Sequence, residues 1–169
     1  FLTEDRKGQG LVLSLDVRTN LILANMKGFS NGPFLNKGKI EKSGQDNVES
    51  LRIKTPSLDE VTAQLSGGNQ QKVVIARALS TQPKVVILDE PTRGIDAAAR
   101  GDVYNIIRQL KDAGVAVLMV SSDMEEVVEL ADRAITVFQG RINGEFSREE
   151  ITQDALTSAS FGIAHERKV

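Results

Sequence analysis

The chain has 169 residues, of which 40% are hydrophobic and 26% charged, a composition typical of a globular domain with a packed core. Its net charge is −2 and its aromatic content is 4%, so neither charge nor stacking rings indicate a nucleic-acid partner. The absence of cysteine excludes disulfides and thiolate metal sites, and it fits a reducing compartment. No apolar run approaches the roughly 18 to 20 residues that cross a bilayer, so membrane association requires a partner protein.

The first part of the chain, residues 1–64, is polar and repeatedly broken by glycine. Its apolar stretches, such as residues 21–23, are short, and the pattern predicts short helices and loops. The chain opens on Phe1 with no initiator methionine and no signal-peptide pattern, and we interpret this start as the boundary of a fragment.

Residues 65–146 carry a clearer pattern. Apolar runs at 85–88 and 115–120 predict strands buried on both faces. An amphipathic helix ending at Gly114 is predicted between them, from apolar residues at helical spacing: Val103, Ile106, Ile107 and Leu110. A second helical stripe follows at 124–131, and then a strand, a tight turn and a strand over 134–146. The alternation of strands and helices predicts a parallel α/β sheet with crossover helices.

The last part of the chain begins with a helix-start pattern. Ser147 with Glu150 three residues later forms a capping box, which predicts a helix after Ser147. The final residues, 165–169, are expected to fray. His165 is the only histidine of the chain, and we interpret it as an incidental surface residue.

The sequence LSGGNQQK at residues 65–72 precedes a segment with helical apolar spacing. Its two glycines allow the backbone to approach a ligand, and a helix that starts there directs amides and partial positive charge at an anion such as a phosphate. The hydroxyl of Ser66 adds a donor. An ordinary glycine turn before a helix is the alternative for this motif alone, and it loses weight once the next motif is counted.

The sequence VVILDEPT at residues 85–92 ends an apolar strand in two carboxylates, Asp89 and Glu90. Ligands of open α/β folds bind at this edge of the sheet. One carboxylate there can hold Mg²⁺ through water, and the next can deprotonate an attacking water, a role worth about 10² to 10⁴ in rate. Two solvated acids at a strand end are the alternative. Ser66 and Asp89 are 23 residues apart, enough for one helix and a return to the sheet.

These two motifs at this spacing resemble the signature and Walker B motifs of ATP-binding-cassette (ABC) ATPases. The longer forms, LSGGNQQK and DEPTRGID at residues 89–96, are similar to the second nucleotide-binding half of tandem ATPases that serve ribose, galactose and xylose importers. TEDRK at residues 3–7 and KTP at residues 54–56 resemble the same branch. The likeness therefore runs over nearly the whole chain.

The resemblance implies a nucleotide contact for the signature residues. The family sandwiches ATP between two nucleotide-binding domains, so Ser66, Gly67 and Gly68 would touch the γ-phosphate of an ATP held by the opposite half. Gln70 of the same motif would belong to this nucleotide-binding set. ATP and Mg²⁺ are the cofactors that the resemblance implies.

Other positions take roles from the same resemblance. Asp89 would be the magnesium-associated acid and Glu90 the general base. Asp96 falls at the place of the D-loop aspartate, which reaches across the dimer. Glu4 falls near the Q-loop glutamine, which couples the nucleotide state to the membrane subunit. Ser122 falls where the switch histidine normally stands.

Two of these positions depart from the family's pattern. The serine at position 122 cannot relay a proton or share charge with the γ-phosphate as an imidazole could. Glutamate at position 4 is the weaker departure, because this branch tolerates it. His165 cannot take the place of the switch histidine from the tail.

The phosphate-cradling motif G-x-x-x-x-G-K-[ST] does not occur in the sequence. The resemblance places it upstream of Phe1, often in a degraded form that lacks the lysine. Together with Ser122, this predicts a weak or silent site at Asp89 and Glu90. The sharper hypothesis is that residues 66–68 contribute in trans to a competent site on the other half.

The resemblance implies an α/β fold: a partial RecA-like P-loop NTPase core with a helical subdomain and without the Walker A portion. We expect the helical subdomain at residues 16–82, the core with Walker B at 83–146, and a C-terminal helix and tail at 147–169. One edge of the incomplete sheet is expected to lie uncovered.

The implied function is that of an ATP-hydrolysing subunit of a bacterial monosaccharide importer, inactive as an isolated piece. It would lie in the cytoplasm, at the inner face of the membrane. Its partners would be an amino-terminal nucleotide-binding half or second ATPase subunit, the transmembrane permease and, indirectly, a periplasmic sugar-binding protein. Two alternatives stay open: a non-hydrolysing partner module that only donates its signature face, and an ABC protein outside transport.

Overall fold

The computed structural model describes residues 1–163. The chain forms two compact units, Phe1–Val120 and Ser121–Val169, called the first and second unit below. His165 and most of the predicted tail lie outside the described residues. No helix among residues 1–163 combines the length and the apolar character that a membrane crossing requires.

Both units contain helices and strands. The described residues contain six α-helices: Val17–Ile22 (α1), Lys37–Ser50 (α2), Gly67–Leu79 (α3), Ala97–Asp112 (α4), Met124–Leu130 (α5) and Gln153–Ser160 (α6). They also contain six strands: Ser30–Asn31 (β1), Phe34–Leu35 (β2), Val85–Asp89 (β3), Ala116–Val120 (β4), Arg133–Phe138 (β5) and Arg141–Ser147 (β6). Short π- or 3₁₀-helical segments lie at Arg6–Gly10, Leu23–Phe29, Thr62–Gln64 and Arg148–Glu150.

The sheet formed by β3 and β4 is parallel, as predicted, whereas β1 and β2 pair antiparallel in a separate sheet. The prediction that β3 and β4 are buried on both faces is wrong, since Val85, Leu118 and Val120 are exposed. β3 and β4 pair from Val85 opposite Ala116 to Asp89 opposite Val120, and α4 connects them. The predicted apolar stripe of α4 is confirmed, because its four residues are all buried. Leu2 adds a short parallel bridge to β3: its N–H donates to the carbonyl of Ile87 at 2.8 Å. This position places residues 2–4 beside the strand that ends in the two carboxylates.

α3 packs against α1 and α4, and its residues Val73–Ala76 are all buried. α2 packs against α1. α2 is a regular helix of 14 residues, longer than the short helices predicted for residues 1–64. Gly44, which looks like a helix breaker in the sequence, lies inside α2. A Cβ at Gly44 would come within 2.6 Å of Leu58 Cδ1, so this glycine permits close packing rather than ending the helix.

The second unit contains an antiparallel hairpin of β5 and β6. The predicted tight turn is confirmed at Gln139 and Gly140, whose φ values of 48° and 77° match the hairpin turn that needs two left-handed residues. β5, which was predicted as the third strand of the parallel sheet, therefore pairs with β6 instead. The tight turn brings the chain back directly alongside β5. The hairpin and α6 bury an apolar core: Ala134, Phe146, Ile151, Leu156 and Ala159.

The capping box is also confirmed. Ser147 and Glu150 cap the 3₁₀ turn Arg148–Glu150, with the Glu150 carboxylate accepting from the Ser147 amide at 2.9 Å. The α-helix that follows starts later than predicted, at Gln153, where Thr152 caps it. The helix predicted directly after Ser147 is thus a short 3₁₀ turn, and α6 begins separately after it.

Candidate functional site

The N-terminus of α3 carries the LSGG sequence and differs from the other helix starts. α1, α2, α4, α5 and α6 each begin with a side chain that accepts a hydrogen bond from a first-turn amide: Asp16, Asn36, Asp96, Asp123 and Thr152. Ser66 takes the cap position of α3 but makes no such bond. The first-turn amides of α3, together with the partial positive charge of the helix end, are therefore not covered by a capping oxygen.

The Ser66 hydroxyl is engaged by Asn69 instead. Asn69 Nδ2 donates to Ser66 Oγ at 2.9 Å, and Asn69 Oδ1 accepts from the backbone N–H of Lys54 at 2.8 Å. Ser66 itself is exposed. The hydroxyl thus sits at the surface, fixed by an amide that is fixed in turn by the loop before α3.

The two glycines after Ser66 are required by the chain's own packing. A Cβ at Gly67 would lie 2.7 Å from Arg6 Nη2 and 3.1 Å from the carbonyl oxygen of Gly94. A Cβ at Gly68 would lie 2.2 Å from the Cβ of Ala99. The glycines therefore bring the starts of α3 and α4 together, a role that the sequence analysis, which assigned them to ligand approach, did not foresee.

Arg6 joins the amino-terminal segment to the turn before α4. Its Nη1 donates to the Arg93 carbonyl at 2.8 Å and its Nη2 to the Gly94 carbonyl at 3.0 Å. Burial lowers the pKa of Arg6 below its ordinary value, and the guanidinium stays charged at neutral pH. Glu4 lies beside it and forms an ion pair with Arg93. The Q-loop candidate is thus tied to the residue that follows the DEPT motif.

Asp96 is the N-cap of α4. Its Oδ1 accepts from the amide of Ala99 at 2.9 Å, and this bond is the main cause that lowers the pKa of Asp96. The positive charge of Lys54 lowers it further. Its Oδ2 would lie 3.9 Å from a Cβ at Gly68. Of the predicted residues, Asp96 and the signature glycines are therefore brought together within one chain.

A buried ion pair holds α3 against α4 one turn further along. The side chain of Lys72 is only 2% exposed, and its ammonium donates to Asp102 Oδ2 at 2.7 Å. It also donates to the carbonyl of Arg52 at 2.7 Å. A charge this deeply buried is tolerated only with such partners.

Asp89 and Glu90 end β3 and are half-buried. The amide of Asp89 donates to the Leu2 carbonyl at 3.0 Å and that of Glu90 to the Val120 carbonyl at 2.9 Å. Glu90 has φ of +49°, a left-handed conformation that costs a residue with a Cβ about 1 kcal/mol or more. Strain of this kind often accompanies function, which agrees with the predicted role of Glu90.

The acids at this strand end fit Mg²⁺ as it usually binds, through one or two carboxylates with water and phosphate oxygens as the other ligands. Among residues 1–163 no group of three or more acidic or histidine side chains is placed to enclose a metal ion. Asp89 would therefore hold the ion together with water and the nucleotide, and the ion would neutralise phosphate charge.

Gln70 and Ser122 are the remaining predicted residues. Gln70 is buried, and its Nε2 donates to the carbonyl of Thr62 at 3.1 Å, so its amide holds the turn Thr62–Gln64 against α3. Its contact with nucleotide stays a prediction. Ser122 is an exposed residue of the second unit, just before Asp123, the cap of α5. Its role as the switch position also stays a prediction.

The site also contains three residues that were not predicted from the sequence: Arg6, Lys54 and Asn69. All three lie within segments that carried the resemblance, TEDRK, KTP and LSGGNQQK. The signal that could have found them is the side-chain type: a guanidinium and an amide can each bridge two groups. Their partners lie up to 88 residues away in the sequence.

The chain is similar in sequence to known proteins. The ABC transporter family model matches residues 7–93 of the chain. The ribose import ATP-binding protein RbsA of Oceanobacillus iheyensis is 46% identical over 98% of this chain and 34% of its own length. The xylose import ATP-binding protein XylG of Moorella thermoacetica is 46% identical over 96% of this chain and 32% of its own length. The chain spans about a third of the length of these relatives.

Solved structures show the same fold. The ADP conformation of MJ1267, an ATP-binding cassette of an ABC transporter, matches with a TM-score of 0.73 at 26% identity, over 92% of this chain and 64% of that one. The dimeric post-hydrolysis state of the ATP-binding cassette MJ0796, bound to ADP and Pi, matches with a TM-score of 0.69 at 24% identity, over 82% of this chain and 59% of that one. The predicted fold class is confirmed.

Proposed function

Because the chain belongs to the ABC transporter family, we propose that it is the signature-bearing part of an ATP-binding subunit that drives the import of a monosaccharide. The relatives named for ribose and xylose import support the substrate class. Its partners are a second nucleotide-binding domain and a transmembrane permease, with a periplasmic sugar-binding protein acting through the permease. The chain would work at the cytoplasmic face of the membrane.

The start of α3 is the observation that carries the proposal. A helix whose first-turn amides lack a capping oxygen, beside an exposed serine hydroxyl, is suited to the terminal phosphate of ATP. Such donors stabilise the charge that develops on a phosphate as it is transferred. We infer that Ser66 and the amides after it complete an ATP site on the partner domain.

The strand end would serve a different step. Glu90 is placed to orient a water molecule and take its proton, and Asp89 to hold Mg²⁺. This second site has a serine, Ser122, where the resemblance places the switch histidine, and a serine cannot relay a proton or share charge with the γ-phosphate as an imidazole could. We therefore assign the larger contribution to Ser66, which acts in trans, and the smaller one to Glu90.

A chimaera tests this division. The chain would replace the aligned third of the Oceanobacillus ribose import ATP-binding protein, and MgATP hydrolysis and ribose uptake would be measured with the permease present. We expect Ser66→Ala to lower hydrolysis about 100-fold, the loss seen when one donor to a developing anion is removed. Glu90→Gln should cost much less. Ser80→Ala, at the other end of α3, is the matched control and should leave the rate unchanged.

Two results would count against the proposal. Equal losses from Ser66→Ala and Glu90→Gln would contradict the division between the two sites. No loss from Ser66→Ala would contradict the phosphate contact itself. Calorimetry on the 169-residue chain adds a direct check, because micromolar MgATP binding by the chain alone would reveal a phosphate site that this assignment lacks.

A further inference from the structure

Asn69 makes two hydrogen bonds whose directions can be assigned from chemistry. The backbone N–H of Lys54 can only donate, so the atom of Asn69 that faces it, at 2.8 Å, is the oxygen. The atom that faces Ser66 Oγ, at 2.9 Å, is then the NH₂ group, which can only donate. The loop at Lys54 therefore fixes which end of the amide Ser66 meets.

This direction determines what the serine can do. A hydroxyl has one proton to donate and two lone pairs to accept with. Asn69 occupies a lone pair of Ser66, so the proton of Ser66 remains available for another acceptor. A serine in its usual role at a helix start would instead accept from its own first-turn amides. Asn69 leaves both the hydroxyl proton and those amides to a ligand.

We propose that Asn69 is a positioning residue that holds the Ser66 hydroxyl as a donor toward the terminal phosphate of ATP. This role rests on the function proposed above and adds a residue to it. Asn69 acts through Ser66, with the Lys54 loop fixing the direction of its amide, and need not touch the nucleotide.

The same amide keeps the Lys54 loop beside the start of α4. Lys54 is near enough to Asp96 for its charge to help lower the pKa of that carboxyl. Asp96 in turn lies close to Gly68. Asn69 thus connects two groups, the serine hydroxyl and the Lys54 loop, which makes its amide a better candidate than that of the buried Gln70 next to it.

Asn69→Asp is the discriminating substitution. An ionised aspartate can still accept from the Lys54 amide, but it cannot donate to Ser66, so the hydroxyl would turn and donate to the carboxylate. In the chimaera we expect ATP hydrolysis to fall at least about tenfold, the value of a hydrogen bond to a charged group. Asn69→Gln keeps both the donor and the acceptor and should retain most of the activity.

A double-mutant cycle shows whether the effect passes through the serine. Once Ser66→Ala has removed the hydroxyl, Asn69→Ala should lower the rate no further. Full additivity of the two substitutions would overturn the proposal, as would wild-type activity of Asn69→Asp in a chimaera that Ser66→Ala inactivates. Failure of Ser66→Ala to affect hydrolysis would overturn the phosphate contact and the role of Asn69 with it.

Hydrogen exchange of the 169-residue chain tests the hydrogen bond between the Lys54 amide and Asn69 separately from catalysis. Asn69→Ala should speed exchange of the Lys54 amide, and Asn69→Asp should keep it protected, because only the first removes the acceptor. Equal exchange in all three proteins would overturn the assigned direction of the amide, whatever the ATPase measurements show.

Discussion

The start of α3 and the end of β3 carry the two motifs that identify the family, yet they are built in different ways. Ser66–Gly68 is surrounded by side chains from distant segments, among them Arg6 and Ala99. The end of β3 is held through main-chain bonds, from Asp89 to Leu2 and from Glu90 to Val120. The structure around Ser66–Gly68 therefore depends on which side chains are present, whereas the structure at the end of β3 depends on main-chain pairing.

This difference has a consequence for substitution. Where side chains pack against glycines, a single added methyl group should disturb the fold. Where main-chain bonds hold the strand end, the pairing uses N–H and C=O groups that every residue except proline carries. The carboxylates of Asp89 and Glu90 are therefore not needed for the strand pairing itself, while the residues around α3 serve packing and chemistry together.

The largest effect is expected from the ion pair between α3 and α4. Asp102→Ala leaves the ammonium of Lys72 buried without its carboxylate, and breaking such a pair costs about 3 kcal/mol where one partner is partly exposed. Urea unfolding of the chain measures the loss. Asp112→Ala, an exposed aspartate at the end of the same helix, should change stability by less than about 0.5 kcal/mol. Equal effects would show that α3 does not depend on this contact.

A smaller loss is expected from Gly68→Ala. The new Cβ would meet the Cβ of Ala99 at 2.2 Å, and overpacking of this kind costs about 1 to 3 kcal/mol. Gly101→Ala is the matched control, since nothing lies within 4 Å of its Cβ and alanine favours a helix interior by about 0.5 to 1 kcal/mol. The two substitutions should change the free energy of unfolding in opposite directions.

Several elements could be predicted from sequence because their signal is local. The apolar runs of β3 and β4, the stripe of α4 and the turn at Gln139 need only neighbouring residues to be recognised. The contacts of Arg6 and Asn69 could not be predicted, since they depend on how separate segments meet. Gly44 shows the same limit: its sequence signal is that of a breaker, and only the position of Leu58 explains it.

A difference in stability between two substitutions is expected at Glu90. Glycine adopts a φ of +49° without the steric cost that a Cβ brings, so Glu90→Gly should have a free energy of unfolding about 0.5 to 1 kcal/mol higher than Glu90→Ala, which also lacks the carboxylate. Gln139→Gly, at φ of +48° in the hairpin turn, should show a similar gain over Gln139→Ala without affecting ATP hydrolysis in the chimaera. Equal stability of Glu90→Gly and Glu90→Ala would mean that the backbone at this position carries no strain.

The smallest effect is the pH dependence of the α4 cap. Bonding to the Ala99 amide holds the pKa of Asp96 below its ordinary value of 3.8, so the charged cap adds stability above that pH and loses it as the pH falls through the lowered pKa. Asp96→Asn keeps an acceptor but no charge, and the stability difference from wild type should shrink between pH 5 and about pH 3. Asn36→Ala, which removes the neutral cap of α2, should cost an amount that does not vary over this range. If the stability difference between Asp96→Asn and wild type does not change with pH, the charge of Asp96 contributes nothing to the start of α4. Asp96 would then suit its place beside Gly68 through its shape alone.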